Sequence, residues 1–319
     1  MAGPELQLLI ALVATFGLLV GIRRLLVLRR SRRVIETGLK AVDLFAPILR
    51  GGDILITGDE GAGSIVLGSE LAYRLMNLPA RHHHVLYYLD DASYDIDERV
   101  QELDEVLPAL THRYIVPVVT ADHVQQHLSD VRRGSDTMIF AASMNTRFLE
   151  IFQESIRQVR EDAPGAGSVT SFSVTDSIVP TTYDVTIQSS KVIAEAGIYP
   201  AIDPQRSASS ASKHSSFRGK RLRVARSAGK AVTEVISSLY AGALNDATWI
   251  YNSDADRRPA CQALCFMSQA YFVAEIYTGK TGAYIPVKQT VDSFETILSE
   301  NMKGTAAKAF RYRNKLPTV

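Results

Sequence analysis

The stretch GDEGAGSI, Gly58 to Ile65, has the glycines of a phosphate-binding loop but not its cation. A loop of pattern G-x-x-x-x-G-K-[ST] wraps phosphate in backbone amides, neutralises it with Lys and holds magnesium through the hydroxyl. Gly58 and Gly63 stand at that spacing with Gly61 between them, but Ser64 fills the Lys position and Ile65 the hydroxyl position. Other groups capable of chemistry are less telling. Cys261 and Cys265 lie four apart, on one helical face, without the second Cys or His pair that a zinc site requires. They read as buried or half-buried thiols of a reducing compartment. His82, His83 and His84 precede an apolar run; adjacent strand residues alternate faces, so the three cannot converge on one metal. A solvent-facing turn is expected there, and no metal site is expected in the chain.

The glycine loop needs a strand before it and a helix after it, and both are legible. Apolar DILIT precedes it and VLGSELAYRLM follows. Beyond it HVLYYLD, YIVPVVT, TMIFAAS and SVTSFSVT read as strands, and SIVLGSELAYRLMN, SYDIDERVQELDEVL and TRFLEIFQESIRQVRE as helices between them. That alternation implies βαβ units and a largely parallel sheet with flanking helices. VIETGLKAVDLFAPILRGG, ahead of the loop, reads as a helix-forming segment ending in a glycine turn. APGAGS, Ala163 to Ser168, lacks a strand-to-helix setting for phosphate and reads as a plain loop. From about Ser207 the chain becomes Ser-rich and then basic. Thereafter KAVTEVISSLYAGAL, RRPACQALCFMSQAYFVAEIY and TVDSFETILSENM read as helices. The basic run Lys213 to Lys230 has two readings, nucleic acid or a solvated or partner-facing surface, and the second is expected. A net charge of +1 over 319 residues carries no global signal for nucleic acid.

The amino-terminal segment carries a different signal. Leu6 to Ile22 has no charged residue, and RRLLVLRRSRR follows directly. With Leu25 to Leu28 added, and Arg23 and Arg24 snorkelling, the run Leu6 to Leu28 is long enough to span a bilayer. A secretory signal would place its positive charge before the apolar run. The arginines should stay on the side of synthesis, leaving a short amino terminus outside. A single-pass anchor is therefore expected; a buried core helix and an Arg-rich organelle-targeting peptide are the alternatives. The expected organisation is anchor and basic flank at 1–33, a nucleotide-type α/β domain at 34–210, and a helical domain at 211–319.

Several segments, in order, resemble the catalytic beta subunit of rotary F-type ATP synthases. ETGLKAVDLFAPILRGGDILITGDEGAGSIVLGSEL is similar to its phosphate-loop segment. GSVTSFSV, IAEAGIYPAIDP, VAEIYTGKTGAYIPVKQTVDSFETIL and AAKAF resemble later segments. GIYPAIDP and VAEIYTGKTG favour beta over the related alpha subunit, and the similarity runs roughly from Glu36 to Phe310 with gaps. The resemblance implies a RecA-like parallel sheet with flanking helices and a C-terminal α-helical domain, with the membrane helix replacing the usual β-barrel crown.

By the same resemblance the catalytic positions are degenerate. The phosphate-binding Lys falls on Ser64, the magnesium-binding Thr on Ile65 and the magnesium-linked Asp on Ala142. The carboxylate that polarises the attacking water falls on Asp91, and its neighbouring Arg on Ala92. The chain is shorter than the family's between Phe148 and Gly167, where a rotor-engaging loop is expected to be missing. The acidic lever becomes ATWIYNS, Ala247 to Ser253, without a carboxylate. Phosphoryl transfer is almost entirely positioning and charge stabilisation, and each lost donor costs roughly 3–4 kcal/mol of barrier lowering. A pseudo-ATPase is the consequence.

The aromatic positions around the family's adenine fall on Tyr199, Tyr271 and Tyr277. With Gly58, Gly61 and Gly63 they form a vestigial nucleotide-binding set. Stacking would give about 1–3 kcal/mol per good contact; the other reading is that these tyrosines pack a junction between domains. The expected function is a structural or scaffold subunit of a membrane-bound, energy-transducing complex. Its partners would be the other subunits and the bilayer, not nucleic acid, and its folded part would face the cytoplasm or mitochondrial matrix. It would use no cofactor beyond a weakly held adenine nucleotide without functional magnesium. The alternative is a regulatory subunit that binds adenine nucleotide without hydrolysing it.

Overall fold

A computed structural model describes residues 33–317 except 79–82, 93–95, 111, 130–135, 163–167, 178, 180–181, 215–216, 242–249, 251–255, 300–301 and 303. The apolar run Leu6 to Leu28 lies outside the described residues, as do residues 163–167 and all of Ala247 to Ser253 except Ile250. Among the described residues no helix is long and apolar enough to cross a membrane.

The chain is α/β, with a mostly parallel sheet flanked by helices and a helical C-terminal part. A small antiparallel pair, β1 (Val34–Ile35) and β2 (Ile48–Leu49), brackets helix α1 (Lys40–Phe45). Seven strands form the main sheet: β3 (Asp53–Gly58), β4 (His83–Asp90), β5 (Arg113–Val116), β6 (Asp136–Ala142), β7 (Val169–Val174), β8 (Val185–Ser189) and β9 (Ala208–Ser209). Their order is β5-β4-β6-β7-β3-β8-β9, parallel except for the antiparallel β8–β9 pair. Helices α2 (Ser64–Met76), α3 (Ile96–Val106), α4 (Ala121–Ser129), α5 (Thr146–Asp162) and α6 (Lys191–Glu195) connect them.

Strand periodicity explains the layering, because successive side chains point to opposite faces. Ile54 and Ile56 of β3, Tyr87 of β4, Phe140 of β6 and Phe172 of β7 join one core with Leu67, Leu71 and Leu75 of α2. Leu55, Leu86, Tyr88 and Ile139 join a second core with Val124 of α4 and Phe148, Phe152 and Ile156 of α5. Both faces of the central strands are thus covered, which is why β3, β4 and β6 read as near-continuous apolar runs, while β7 also buries Thr170, Ser171 and Ser173. Across the first face Tyr87, Phe140 and Phe172 stack, with ring centroids 5.5 and 4.2 Å apart.

The C-terminal part comprises α7 (Lys220–Tyr240), α8 (Arg258–Met267), α9 (Glu275–Thr278) and α10 (Val287–Leu298). Val224, Ala228, Val232, Val235 and Ile236 form the buried stripe of α7, at the helical spacing that one apolar face requires. Phe266 of α8 meets Phe294 of α10 edge-on at 5.3 Å, and Phe294 meets Phe45 of α1 at 6.0 Å. Both cysteines lie buried in α8.

Several sequence expectations change. The segment before the loop is helical only over α1, and β1 and β2 pair around it. β4 begins at His83, so His83 and His84, expected in a turn, are already strand, and His82 lies outside the described residues. β5 stops at Val116, ahead of Pro117, whose ring nitrogen has no proton to donate to a ladder. β8 and α4 are additional elements. α7 starts at Lys220 and takes much of the basic run into a helix, where Lys220 and Arg223 pair with Asp292 and Glu295 of α10. The helix expected over 257–277 breaks after Met267. There the Gln269 side chain accepts from Lys40 N at 2.9 Å and donates to the carbonyls of Gly38 at 2.7 Å and Ala283 at 2.6 Å. Those three contacts, two of them fully buried, hold the backbone extended and leave only the short α9 beyond.

Candidate functional site

The loops after β3, β4, β6 and β7 gather at the carboxyl ends of the parallel strands, where open α/β sheets place their ligands. β3 runs to Gly58, where a Cβ would lie 2.7 Å from both the Ser189 carbonyl oxygen and Ser64 Oγ, so a side chain has no room. The loop then turns through Gly61 and Gly63, at φ +76° and +87°. Gly63 caps α2 without a side-chain hydrogen bond, and Leu67 N donates to its carbonyl at 2.9 Å. The strand, glycine loop and helix expected from GDEGAGSI are therefore in place. The α2 amino terminus brings about half a positive charge to the loop.

The loop is tied at its first residue. Asp59 accepts from Lys191 N at 2.9 Å and pairs with Arg206 at 3.1 Å. Arg206 also reaches the Tyr240 hydroxyl, which donates to Asp203 at 3.0 Å and lies 2.7 Å from Ser190 Oγ. This polar chain fastens the loop to the β8–α6 turn and to the end of α7.

Where the resemblance places lysine and a metal, the side chains are uncharged. Ser64 is fully buried, and its hydroxyl has no partner among the described residues. Ile65 and Ala142 line, with Leu89 and Val174, a cavity of about 30 Å³, room for roughly one water molecule. The carboxylate at its edge is Asp90, not Asp91. Asp90 is buried at the end of β4 and accepts from Ser143 Oγ at 2.7 Å and Ala92 N at 3.0 Å. Asp91, expected in the water-polarising position, is instead exposed in the turn where the chain leaves the sheet. The cation lining this cavity is Arg99, which pairs with Glu102 at 3.2 Å.

Two of the three tyrosines come together and the third does not. Tyr199 and Tyr271 line one cavity of about 210 Å³ together with Gly63 and Val66. Burial pushes the Tyr271 phenol well above its ordinary range, so it is a neutral, apolar wall. Tyr277 does not reach this cavity. It is 63% exposed and its hydroxyl donates to Glu105 at 2.7 Å, because α9 turns it toward α3. Its place is taken by Tyr312, which the sequence reading missed. Tyr312 sits at φ 55°, its amide donates to Ser268 Oγ at 2.7 Å, and Lys280 Nζ lies 3.9 Å from its ring centroid. Lys280 also lines the cavity. Nothing in the FRYRN context signals a left-handed tyrosine. Chemically, the arrangement offers a face for a planar ring and backbone amides for an anion, but an aliphatic wall at the metal position.

No protein-family model matches this chain.

Proposed function

We propose that the chain is a catalytically inactive relative of the ATP synthase beta subunit, acting as a structural subunit of a membrane-bound, energy-transducing complex. In this reading the described part is RecA-like, and Leu6 to Leu28 anchors it with the amino terminus outside and the folded part on the cytoplasmic or matrix side. A parallel sheet carrying a strand, glycine loop and helix near its middle supports the assignment. The observation that carries the loss of catalysis is the wall of Ile65 and Ala142 beside an uncharged Ser64. Neither side chain can bind a magnesium ion, and phosphoryl transfer depends on that ion and a neighbouring cation for its charge stabilisation. Full-length protein in detergent is expected to release no phosphate from Mg-ATP above a blank. Magnesium-dependent turnover that falls on replacing Asp90 would sink the proposal. A native pull-down from solubilised membranes should recover rotor and stalk proteins if the host complex is an ATP synthase.

The cavity lined by Tyr199, Tyr271, Tyr312 and Lys280 favours a second reading, a regulatory subunit that holds adenine nucleotide without turnover. Stacking worth about 1–3 kcal/mol per contact gives affinity in the millimolar range. Millimolar ADP should then raise the melting temperature measurably. An unchanged melting curve would remove this second reading and leave the first intact.

A further inference from the structure

We propose that the exposed basic face of α7 lies on anionic lipid headgroups, a second membrane contact that fixes how the folded part sits on the bilayer. This rests on reading Leu6 to Leu28 as an anchor. Lys220, Arg223, Arg226 and Lys230 are all exposed and share one side of α7, away from the stripe that Val224, Ala228, Val232 and Val235 bury. Arg221 does not belong to this face: it turns inward, over the Phe217 ring at 4.5 Å, and donates to the Asp43 carbonyl. Lys220 pairs with Asp292 at 2.6 Å and Glu295 at 2.7 Å, and Arg223 with Glu295 at 3.0 Å. Asp292 also meets Lys288 of α10 at 2.7 Å. Five cations therefore face two acids, an excess of three positive charges, before Glu234 ends the stripe one turn past Lys230. Neither Arg226 nor Lys230 has an ion-pair partner among the described residues.

What singles this stripe out is its nearness to the tether. Only five peptide steps separate Leu28 from Arg33, and fully extended they reach at most about 18 Å. An anchored folded part is thus held close to the bilayer surface, with the elements around Arg33 nearest to it. Arg33 leads into β1, and Glu36, one residue past β1, accepts from Val287 N at 2.8 Å at the start of α10. Lys288 follows at once, and the pairs through Asp292 and Glu295 carry the contact across to Lys220 and Arg223. Phe45 of α1 packs beside α7 at Gly229, where a Cβ would lie 3.8 Å from its ring. The chain therefore enters the fold next to the basic face. The residues of the tether, RRSRR from Arg29 to Arg33, are themselves basic. Each Lys or Arg close to an anionic leaflet adds attraction that dies away within a Debye length, about 8–10 Å. Nucleic acid would satisfy the same charges but would not explain their place beside the tether.

The test uses the full chain in nanodiscs of phosphatidylcholine, with and without phosphatidylglycerol, where both leaflets are open to reagent. Ser227→Cys puts a thiol on the basic face, and Asp122→Cys puts one at an exposed position of α4, across the sheet. The native Cys261 and Cys265 are buried. A neutral maleimide is expected to label Ser227→Cys about tenfold more slowly in discs containing phosphatidylglycerol than in discs without it. Asp122→Cys should be labelled at one rate in both. High salt, or Arg226→Glu combined with Lys230→Glu, should abolish the difference. Equal slowing of Asp122→Cys overturns the proposal. So does slowing by duplex DNA on phosphatidylcholine discs with none from phosphatidylglycerol, which would make this a nucleic-acid surface. A chain that enters neither kind of disc defeats the anchor and this proposal with it; equal labelling of Ser227→Cys in discs that the chain has entered defeats this proposal alone.

Discussion

Replacing Glu70 with Ala is expected to lower the unfolding free energy by about 3–5 kcal/mol. Glu70 and Arg74 are one turn apart on α2, both side chains are inaccessible to solvent, and Nε meets Oε1 at 2.6 Å. Arg74 further donates to the carbonyls of Thr37 at 3.3 Å and Ala283 at 2.8 Å, and lies over the Phe272 ring at 4.8 Å. Glu70 Oε2 accepts from Val273 N at 3.1 Å. Deleting the carboxylate strands a buried guanidinium and a buried amide at once, so the loss should be near the top of the range for single substitutions. Replacing the pair together, Glu70→Leu with Arg74→Met, should recover much of it, since a buried pair often contributes little over a well-packed apolar one. Urea denaturation reads both; a loss below about 1 kcal/mol for the single variant would contradict the argument.

Stability should also climb by several kcal/mol between about pH 7 and pH 10. Lys40 is fully buried on α1, with Nζ donating to Ser268 O at 2.9 Å and Arg313 O at 2.8 Å, over the Phe266 ring at 4.0 Å. Burial lowers its pKa from 10.5 to about 7. Between those values the unfolded chain holds a proton that the folded chain has released, so raising the pH favours folding. At about 1.4 kcal/mol per pH unit, the full window is worth on the order of 4–5 kcal/mol. Asp43, one turn on, works in the opposite sense. Burial raises its pKa from 3.8 to about 6, against the lowering effect of its Thr37 and Gly38 donors and of Arg221. Over that acidic window the folded chain binds the extra proton, and stability falls as pH rises. The two together place a trough between about pH 6 and 7. Lys40→Met should flatten the alkaline limb; a limb that keeps its slope in that variant would show that another group supplies it.

The strands that were legible are those buried on both faces. DILIT, HVLYYLD, TMIFAAS and SVTSFSVT correspond closely to β3, β4, β6 and β7; helices on either side favour apolar residues on both faces, although β7 also buries Thr170, Ser171 and Ser173. β8 was invisible: its buried phase holds only Val185 and Ile187 before Ser189 ends the alternation, and its register comes from pairing with β3. α4 was invisible because ADHVQQHLS buries little besides Val124. At the site, glycine spacing located the loop, since Gly58, Gly61 and Gly63 answer backbone requirements that no other residue meets. Which of the two adjacent carboxylates lines the cavity was not legible, because it depends on where β4 ends, and strand ends follow tertiary contacts such as Ser143 on Asp90. Tyr312 and Lys280 were beyond reach for a related reason. Each is brought to the site by a turn or loop whose path is set by distant partners rather than by its own residues.

Gln269, Lys40 and Arg74 share a property that bears on what this molecule can do mechanically. Each runs buried polar contacts across the seam between the sheet and the C-terminal segments, to Gly38, Ser268, Arg313 and Ala283 among others. A hinge that swings on demand needs a seam that parts without stranding donors and acceptors away from water. Here any such swing would unmake several buried bonds together, at a penalty comparable to much of a small domain's total stability. The joint is stitched shut, and the sheet and the C-terminal segments are held as one stiff body.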